Sequence, residues 1–156
     1  MEIQRAPIAT AEMLIRKPVT RVFEAFINPD ITTKFWFTKS SGPLEPGKQI
    51  HWEWEMYGAS TEVNVQAIEP NKRILIEWSG YTLRTNVEWV FTPHGNNATF
   101  VSITESGFGG DEAVNQALDS TAGFTMVLAG LKAYVEHNIN LNLIADRFPD
   151  ALVKQA

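Results

Sequence analysis

Glu105 is the residue whose type and position offer the clearest chemistry in this sequence. It ends an alternating stretch and is in phase with the apolar residues Val101 and Ile103. If that side of the strand faces the interior, the carboxyl group enters it too, where it can hydrogen-bond a ligand or act as a general acid or base. The alternative is that Glu105 turns to water at the strand end, beside Gly107. The sequence leaves both placements open.

A second candidate is a group of residues of metal-ligating type. His51, Glu53 and Glu55 alternate onto one side of a predicted strand, with neighbours about 6.6–7 Å apart. Metal sites usually gather ligands from several elements, so this pattern indicates a solvated outer face and we expect no metal site. His94 falls in a predicted turn and His137 at a predicted helix end, each without a visible partner.

Other reactive groups and fingerprints are missing from the sequence. There is no cysteine, which excludes a thiolate nucleophile, a disulfide and Cys-ligated zinc. No Ser-His-Asp order or phosphate loop is present, and residues 107–110 lack the spacing of a dinucleotide fingerprint. We therefore expect no catalytic set and no cofactor, and a non-enzymatic binding protein is favoured.

Composition excludes some partners. The net charge is −5 and the Lys and Arg residues are scattered, which argues against nucleic acid. No apolar run approaches the roughly 18 residues of a membrane span. The first ten residues contain Glu2 and Arg5 and no apolar signal segment. The expectation is a cytoplasmic protein without a membrane span.

Two hydrophobic periods define the elements that must position these residues. We predict a strand over residues 8–15, a helix that begins at Pro18, a second short helix after Pro29, and a loop over residues 38–48. Alternation then predicts strands near residues 50–57, 61–67, 74–79, 86–91 and 99–105, with links short enough for antiparallel hairpins. A helical apolar stripe from Val114 to Val135 predicts a long helix over residues 111–138, followed by a short helix before Pro149.

These elements predict an α+β fold in one domain, residues 1–156, with a core over about 8–138 and a tail over 139–156. About six antiparallel strands make a sheet near 29 Å wide, whereas one helix is only about 10–12 Å across. The sheet must curve around the long helix, and the hollow is filled either by large side chains or by a ligand. Four inward tryptophans are large enough to fill it outright: Trp52, Trp54, Trp78 and Trp89.

Two glycines leave part of the surface of the long helix without side chains. Gly123 and Gly130 are two turns apart, and glycine within a helix costs about 1 kcal/mol, so it usually has a steric reason. Close approach to the sheet is one reason, and approach to a second copy in a homodimer is the other.

The order of these elements resembles the START-like, Bet v 1-like (SRPBCC) superfamily, which has the helix-grip fold. Within it the chain is similar to the branch homologous to the C-terminal domain of the activator of the heat-shock-protein ATPase. The resemblance spans about residues 10–137 and depends on the order of several segments: residues 18–26, Phe35-Trp36, Pro46-Gly47-Lys48, residues 69–74 before Trp78, residues 98–108 and residues 131–136.

The resemblance implies an interior pocket for apolar small molecules and no universal catalytic residue. It also implies two alternatives: a protein-interaction module acting on a chaperone ATPase, and an enzyme of the polyketide cyclase or aromatase type. The eukaryotic chaperone activator has a separate N-terminal domain, for which this chain has no room.

We therefore predict a protein that binds a small hydrophobic or amphipathic molecule between the curved sheet and the long helix. Polarity near the mouth is expected from Glu105 and from Tyr57 or Tyr81. The residues predicted to contact the ligand are Trp36, Trp52, Trp54, Val63, Val65, Ile76, Trp78, Val87, Trp89, Val101, Ile103, Glu105, Phe124, Leu128 and Leu131.

Overall fold

The fold is a curved antiparallel sheet that holds one long helix, as seen in a computed structural model that describes residues 6–79 and 83–153. The seven strands lie in the order β1-β7-β6-β5-β4-β3-β2, and every neighbouring pair is antiparallel. The elements are β1 Ala9–Ile15, α1 Val19–Ile27, α2 Pro29–Thr32, β2 Lys39–Ser40, β3 Gln49–Trp54, β4 Ala59–Glu69, β5 Arg73–Trp78, β6 Thr85–Pro93, β7 Thr99–Ser106, α3 Ala113–His137 and α4 Leu143–Arg147.

The predicted helix-grip class is confirmed, with seven strands instead of about six. The additional strand, β2, lies inside the segment predicted as a loop and pairs with β3, so that Lys39 faces Glu53 and Ser40 faces Trp52. Two residues are too few to show the alternation of apolar and polar side chains from which strands were predicted. The alternation also ends earlier than predicted, at Trp54, because residues Glu55–Tyr57 form a 3₁₀ turn.

The segment from α1 to β2 covers one end of the hollow. Asn28 caps α2 by accepting a hydrogen bond from the Asp30 amide at 3.0 Å. The buried Thr32 hydroxyl donates to the Ala25 carbonyl at 2.6 Å and fixes α2 against α1. The second predicted short helix, α2, ends at Thr32, and the chain then carries three large rings into the interior: Phe35, Trp36 and Phe37.

The long helix α3 is close to its predicted extent. It ends at His137, and the left-handed backbone of Asn138 (φ 54°) caps it. Phe124, Leu128 and Leu131 are buried as expected. Val114 is an exception: it is 60% exposed, because the first turn of α3 extends past the buried face, which begins at Ala117.

A polar cluster fixes the C-terminal end of α3 to the end of β1. The Glu136 carboxylate, 9% exposed, accepts from Lys132 Nζ at 2.7 Å and from the Arg16 amide at 2.9 Å. Lys132 also donates to the Leu14 carbonyl at 3.0 Å. Burial acts to raise the pKa of Glu136, but the Arg16 and Lys132 donors outweigh it and hold that pKa below its ordinary value.

Candidate functional site: a cavity under the long helix

A cavity of about 310 Å³ remains between α3, the edge of the sheet formed by β3–β5, and the segment after α3. Exposed Ser60, Ser79 and Asp119 mark the side where it meets solvent. The lining residues include Trp36, Trp54, Tyr57, Thr61, Trp78, Glu105, Ser120, Gly123, Phe124, Val127, Ile144, Arg147 and Phe148.

Aromatic rings form the inner wall of the cavity. Trp36, Trp78 and Phe124 contact one another, with centroid distances of 6.0 Å, 5.8 Å and 6.0 Å for the pairs Trp36–Trp78, Trp36–Phe124 and Trp78–Phe124. Trp54 joins them at 6.1 Å from Trp36. Trp36 meets Trp54, Trp78 and Phe124 at steep angles of 64–65°, while Trp78 and Phe124 are stacked at 30°, so the wall combines faces and edges.

The rest of the hollow is filled by other rings. Phe37 stacks on Trp52 at 4.5 Å, and Trp89 packs between Phe26 and Phe124. We call this region the filled half, defined by Phe26, Phe37, Trp52 and Trp89, and the region around the cavity the cavity half. Trp36 lies at the boundary, where it contacts Trp52 and Trp89 of the filled half and Trp78 of the cavity half. The two halves also touch directly, through Trp52–Trp78 and Trp89–Phe124.

The fifteen residues predicted to contact a ligand divide between the two halves. Those that line the cavity are Trp36, Trp54, Trp78, Glu105 and Phe124. The remaining ten pack in the core away from it: Trp52, Val63, Val65, Ile76, Val87, Trp89, Val101, Ile103, Leu128 and Leu131. Large side chains therefore fill most of the hollow, and a cavity remains at one end of it.

Glu105 lies inside the molecule and does not turn to water. Its relative exposure is 0%, and its carboxyl group accepts hydrogen bonds from Trp78 Nε1 at 3.0 Å and from the hydroxyls of Thr85 and Ser120. These donors come from β5, from β6 and from α3, so the carboxyl group joins the sheet to the helix. A carboxylate offers about four lone-pair sites, and three of them are used here.

The segment after α3 closes the cavity, a role that sequence reasoning missed. The Tyr57 hydroxyl donates to the carbonyls of Ile144 and Ala145, and the Val153 amide donates to the Met56 carbonyl at 2.8 Å. Tyr57, predicted near the mouth, does line the cavity. Tyr81, the other tyrosine predicted there, lies outside the described residues.

An ion pair holds this segment against α3. Arg147 Nη2 lies 2.7 Å from Asp119 Oδ1, and the guanidinium lies over the Phe148 ring at 4.6 Å from its centroid. Gly123 makes room for it, because a Cβ there would come within 2.9 Å of Arg147 Nη1. Gly123 was the one signal in the sequence that pointed to this contact. Gly130 serves the other end of α3, where a Cβ would come within 3.3 Å of the Phe35 Cβ and carbonyl oxygen.

On the outer face of β3, His51 lies between two glutamates. His51 Nδ1 lies 2.5 Å from Glu62 and its Nε2 lies 3.1 Å from Glu53. The hydrogen bond that His51 donates to the Glu62 carboxylate is the largest influence, and it raises the pKa of His51 above its ordinary value of 6.5. Over residues 6–79 and 83–153, no group of three or more His, Asp or Glu side chains is placed to hold a metal ion.

Comparison with known proteins gives the family. The model of the family described as Activator of Hsp90 ATPase homolog 1-like protein matches residues 16–136. The chain belongs to this family. The matched range ends before α4, so the Activator of Hsp90 ATPase homolog 1-like region does not include the part of the chain that closes the cavity.

Solved structures agree with this placement. The chain is similar to protein SSP2350 from Staphylococcus saprophyticus, at 30% identity over 86% of this chain and 96% of that one, with a TM-score of 0.75. It shares its fold with the Aha1 dimer from Colwellia psychrerythraea (19% identity, 84% and 97% covered, TM-score 0.72). It also shares it with CalU16 from Micromonospora echinospora (15% identity, 95% and 96% covered, TM-score 0.67). No curated protein matches the chain significantly.

None of the helices in the described part of the chain is long and apolar enough to cross a membrane. The cytoplasmic location expected from the sequence stays a prediction.

Proposed function

We propose that this member of the Activator of Hsp90 ATPase homolog 1-like family binds a small amphipathic molecule in the cavity half. The observation that supports the proposal most directly is a cavity whose inner wall consists of four aromatic side chains and whose lining includes a buried carboxyl group, Glu105. Small-molecule sites are typically concave, mostly apolar and equipped with a few convergent polar groups.

The volume of the cavity sets the size of the molecule. A dry cavity of about 150 Å³ holds one benzene ring. The cavity here, at about 310 Å³, is roughly twice as large. Two fused rings with one polar substituent fit that space, and a ligand of this size can contact Trp78 and Phe124 while its substituent reaches toward Glu105.

The test uses three probes with one carbon skeleton: naphthalen-1-ylmethanol, naphthalen-1-ylmethylammonium and 1-naphthoate. Isothermal titration calorimetry and native mass spectrometry should show one equivalent of at least one probe bound. Val127, which lines the cavity from α3, is replaced by Phe to fill it, and binding should weaken at least tenfold. Val90→Phe is the matched control, because Val90 is 37% exposed on β6 and remote from the cavity lining.

Two results would contradict the proposal. One is that no probe binds the unaltered chain. The other is that Val127→Phe and Val90→Phe bind a probe equally well, which would place the probe outside the cavity.

The enzymatic alternative has less support. In the part of the chain that the structure describes, Glu105 is held by Trp78, Thr85 and Ser120, and no His side chain lines the cavity to complete an acid and base pair. The homodimer and the chaperone partner stay predictions. Light scattering of the purified chain tests the first, and a pull-down with the chaperone ATPase tests the second.

A further inference from the structure

The charges around the cavity do not balance. Among the described residues, the acidic and basic side chains that line it are Glu105, Asp119 and Arg147. Arg147 is already paired with Asp119, at 2.7 Å. Glu105 makes no ion pair with any residue among 6–79 and 83–153, and its three hydrogen-bond donors are all uncharged. Within the part of the lining that the structure describes, Glu105 is therefore a carboxyl group without a positively charged partner.

An uncompensated carboxylate in this position is unfavourable in free energy. Glu105 is fully buried, and moving a carboxylate out of water is strongly unfavourable unless an opposite charge or enough hydrogen bonds compensate it. Three neutral donors compensate it in part and leave about one acceptor site unused. Because no part of Glu105 is exposed, a ligand reaches the carboxyl group only when the Thr85 or Ser120 hydroxyl turns aside. A ligand that brings a positive charge and an N–H donor would then replace that hydroxyl and supply the missing charge.

The aromatic wall also favours a positively charged ligand. The faces of tryptophan and phenylalanine rings carry negative electrostatic potential and attract ammonium groups within about 6 Å of the ring centroid. Trp36, Trp78 and Phe124 stand together at the inner wall, and Glu105 is hydrogen-bonded to the indole of Trp78. Because Trp78 donates its Nε1–H, Glu105 lies at the edge of that indole, so the attraction of an ammonium group to the wall requires that the group also reach the face of one of these rings.

We propose that the cavity takes an organic cation, an amine whose ammonium group pairs with Glu105 while its apolar body rests on the aromatic wall. This assignment rests on the proposed function and narrows it to one class of ligand. The competing choice, an anionic ligand on Arg147, would require the ligand to replace Asp119 and would bring a second negative charge toward Glu105.

The three naphthalene probes decide between these classes without any mutation. The ammonium probe should bind the unaltered chain at least tenfold more tightly than the alcohol, and the carboxylate should bind most weakly. Equal binding of the ammonium and the alcohol, or tighter binding of 1-naphthoate, overturns the assignment to cations while the proposed function stands. Failure of all three probes is the separate result that removes the proposed function itself.

Glu105→Gln provides the second measurement. A Gln amide can keep its oxygen on Trp78 Nε1 and donate its NH₂ group to the Ser120 hydroxyl, which can rotate to accept, so the variant should fold. It should bind the ammonium probe at least tenfold more weakly and the alcohol within about threefold of the unaltered chain.

Glu12→Gln is the matched control, because Glu12 is exposed on β1 and its replacement changes the net charge by the same amount. Its affinity for the ammonium probe should equal that of the unaltered chain. If Glu105→Gln and Glu12→Gln weaken the ammonium probe alike, the effect is one of net charge, and pairing with Glu105 is refuted.

Discussion

The filled half and the cavity half share the same strands but differ in how they are covered. Trp52 and Trp54 lie two residues apart on β3 and face the same side. Trp52 is 1% exposed and stacks on Phe37, whereas Trp54 is only partly buried and lines the cavity. The rings after α2 cover the first, and the segment around α4 covers the second. The segments that pack over the sheet, and not the sheet itself, therefore determine where a cavity remains.

Replacing one tryptophan in each half should separate the two regions most strongly. Trp52→Ala should lower the free energy of unfolding by about 3–5 kcal/mol, because it leaves a large void in a packed core. Trp54→Ala should cost only about 1–2 kcal/mol, since part of its surface already borders the cavity. Urea unfolding of both variants measures the difference. Equal losses would mean that the two halves are packed alike.

The carboxyl group in the cavity half should be the next most sensitive position. Glu105→Leu leaves Trp78 Nε1 and the Thr85 and Ser120 hydroxyls without their acceptor, and each unsatisfied group costs about 1–3 kcal/mol. We expect a loss of about 3 kcal/mol for Leu and less than about 1 kcal/mol for Gln. Thermal unfolding of the pair is the measurement, and a Leu variant as stable as the Gln variant would contradict the described network.

Replacing Glu136, which lies where α3 meets β1, should lower the free energy of unfolding by an amount that depends on pH. The folded-state pKa of Glu136 lies below its ordinary value of 4.5, so its ion pair stabilises the fold above that pH and is lost as the pH falls through the folded-state value. Glu136→Gln should therefore cost about 1–2 kcal/mol at pH 7 and low salt, and clearly less at pH 3.

Urea unfolding at the two pH values measures this, with Glu24→Gln on the exposed side of α1 as the control. A loss for Glu136→Gln that is the same at pH 7 and pH 3 would show that the charge of Glu136 is not what stabilises this junction.

Replacing either of the two helix glycines by alanine should give the smallest changes in stability, with opposite signs at the two positions. Alanine gains about 1 kcal/mol over glycine within a helix. At Gly123 the new Cβ meets only the end of the flexible Arg147 side chain, so the gain should be largely kept while Arg147 moves aside. At Gly130 it meets the Phe35 backbone, and the crowding should cancel the gain or produce a net loss of about 1 kcal/mol.

Thermal unfolding compares the two alanine variants, and the rate of probe association reports whether the Arg147 segment has loosened. Two variants with the same stability would mean that Gly123 and Gly130 meet equally adaptable neighbours.

The sequence predicted those parts of the fold that depend on local periodicity. Alternation identified the longer strands and the inward side of Trp52, Trp78 and Trp89, and helical spacing identified α3. The β2 strand is too short to show a period, and the exposed Val114 lies on the same stripe as its buried neighbours. Such features depend on where an element meets its partner, which no local pattern records.

The site was less predictable because it depends on distant contacts. One closing contact joins Tyr57 to Ile144, 87 residues away. The local sign of the other, between Arg147 and α3, was a glycine in a helix, Gly123. Whether Glu105 faced water or the interior depended on Trp78, Thr85 and Ser120, which lie on three other parts of the chain. Alternation placed Glu105 on the inward face, but it could not show what the side chain would meet there.

The central position of Trp36 has a spectroscopic consequence. All five indoles of the chain form one contiguous group, because Trp36 touches Trp52, Trp54, Trp78 and Trp89. Their emission and near-ultraviolet dichroism are therefore coupled properties of the group. A guest seated beside Trp78 changes the signal of the whole set, and the chain carries its own optical reporter of occupancy.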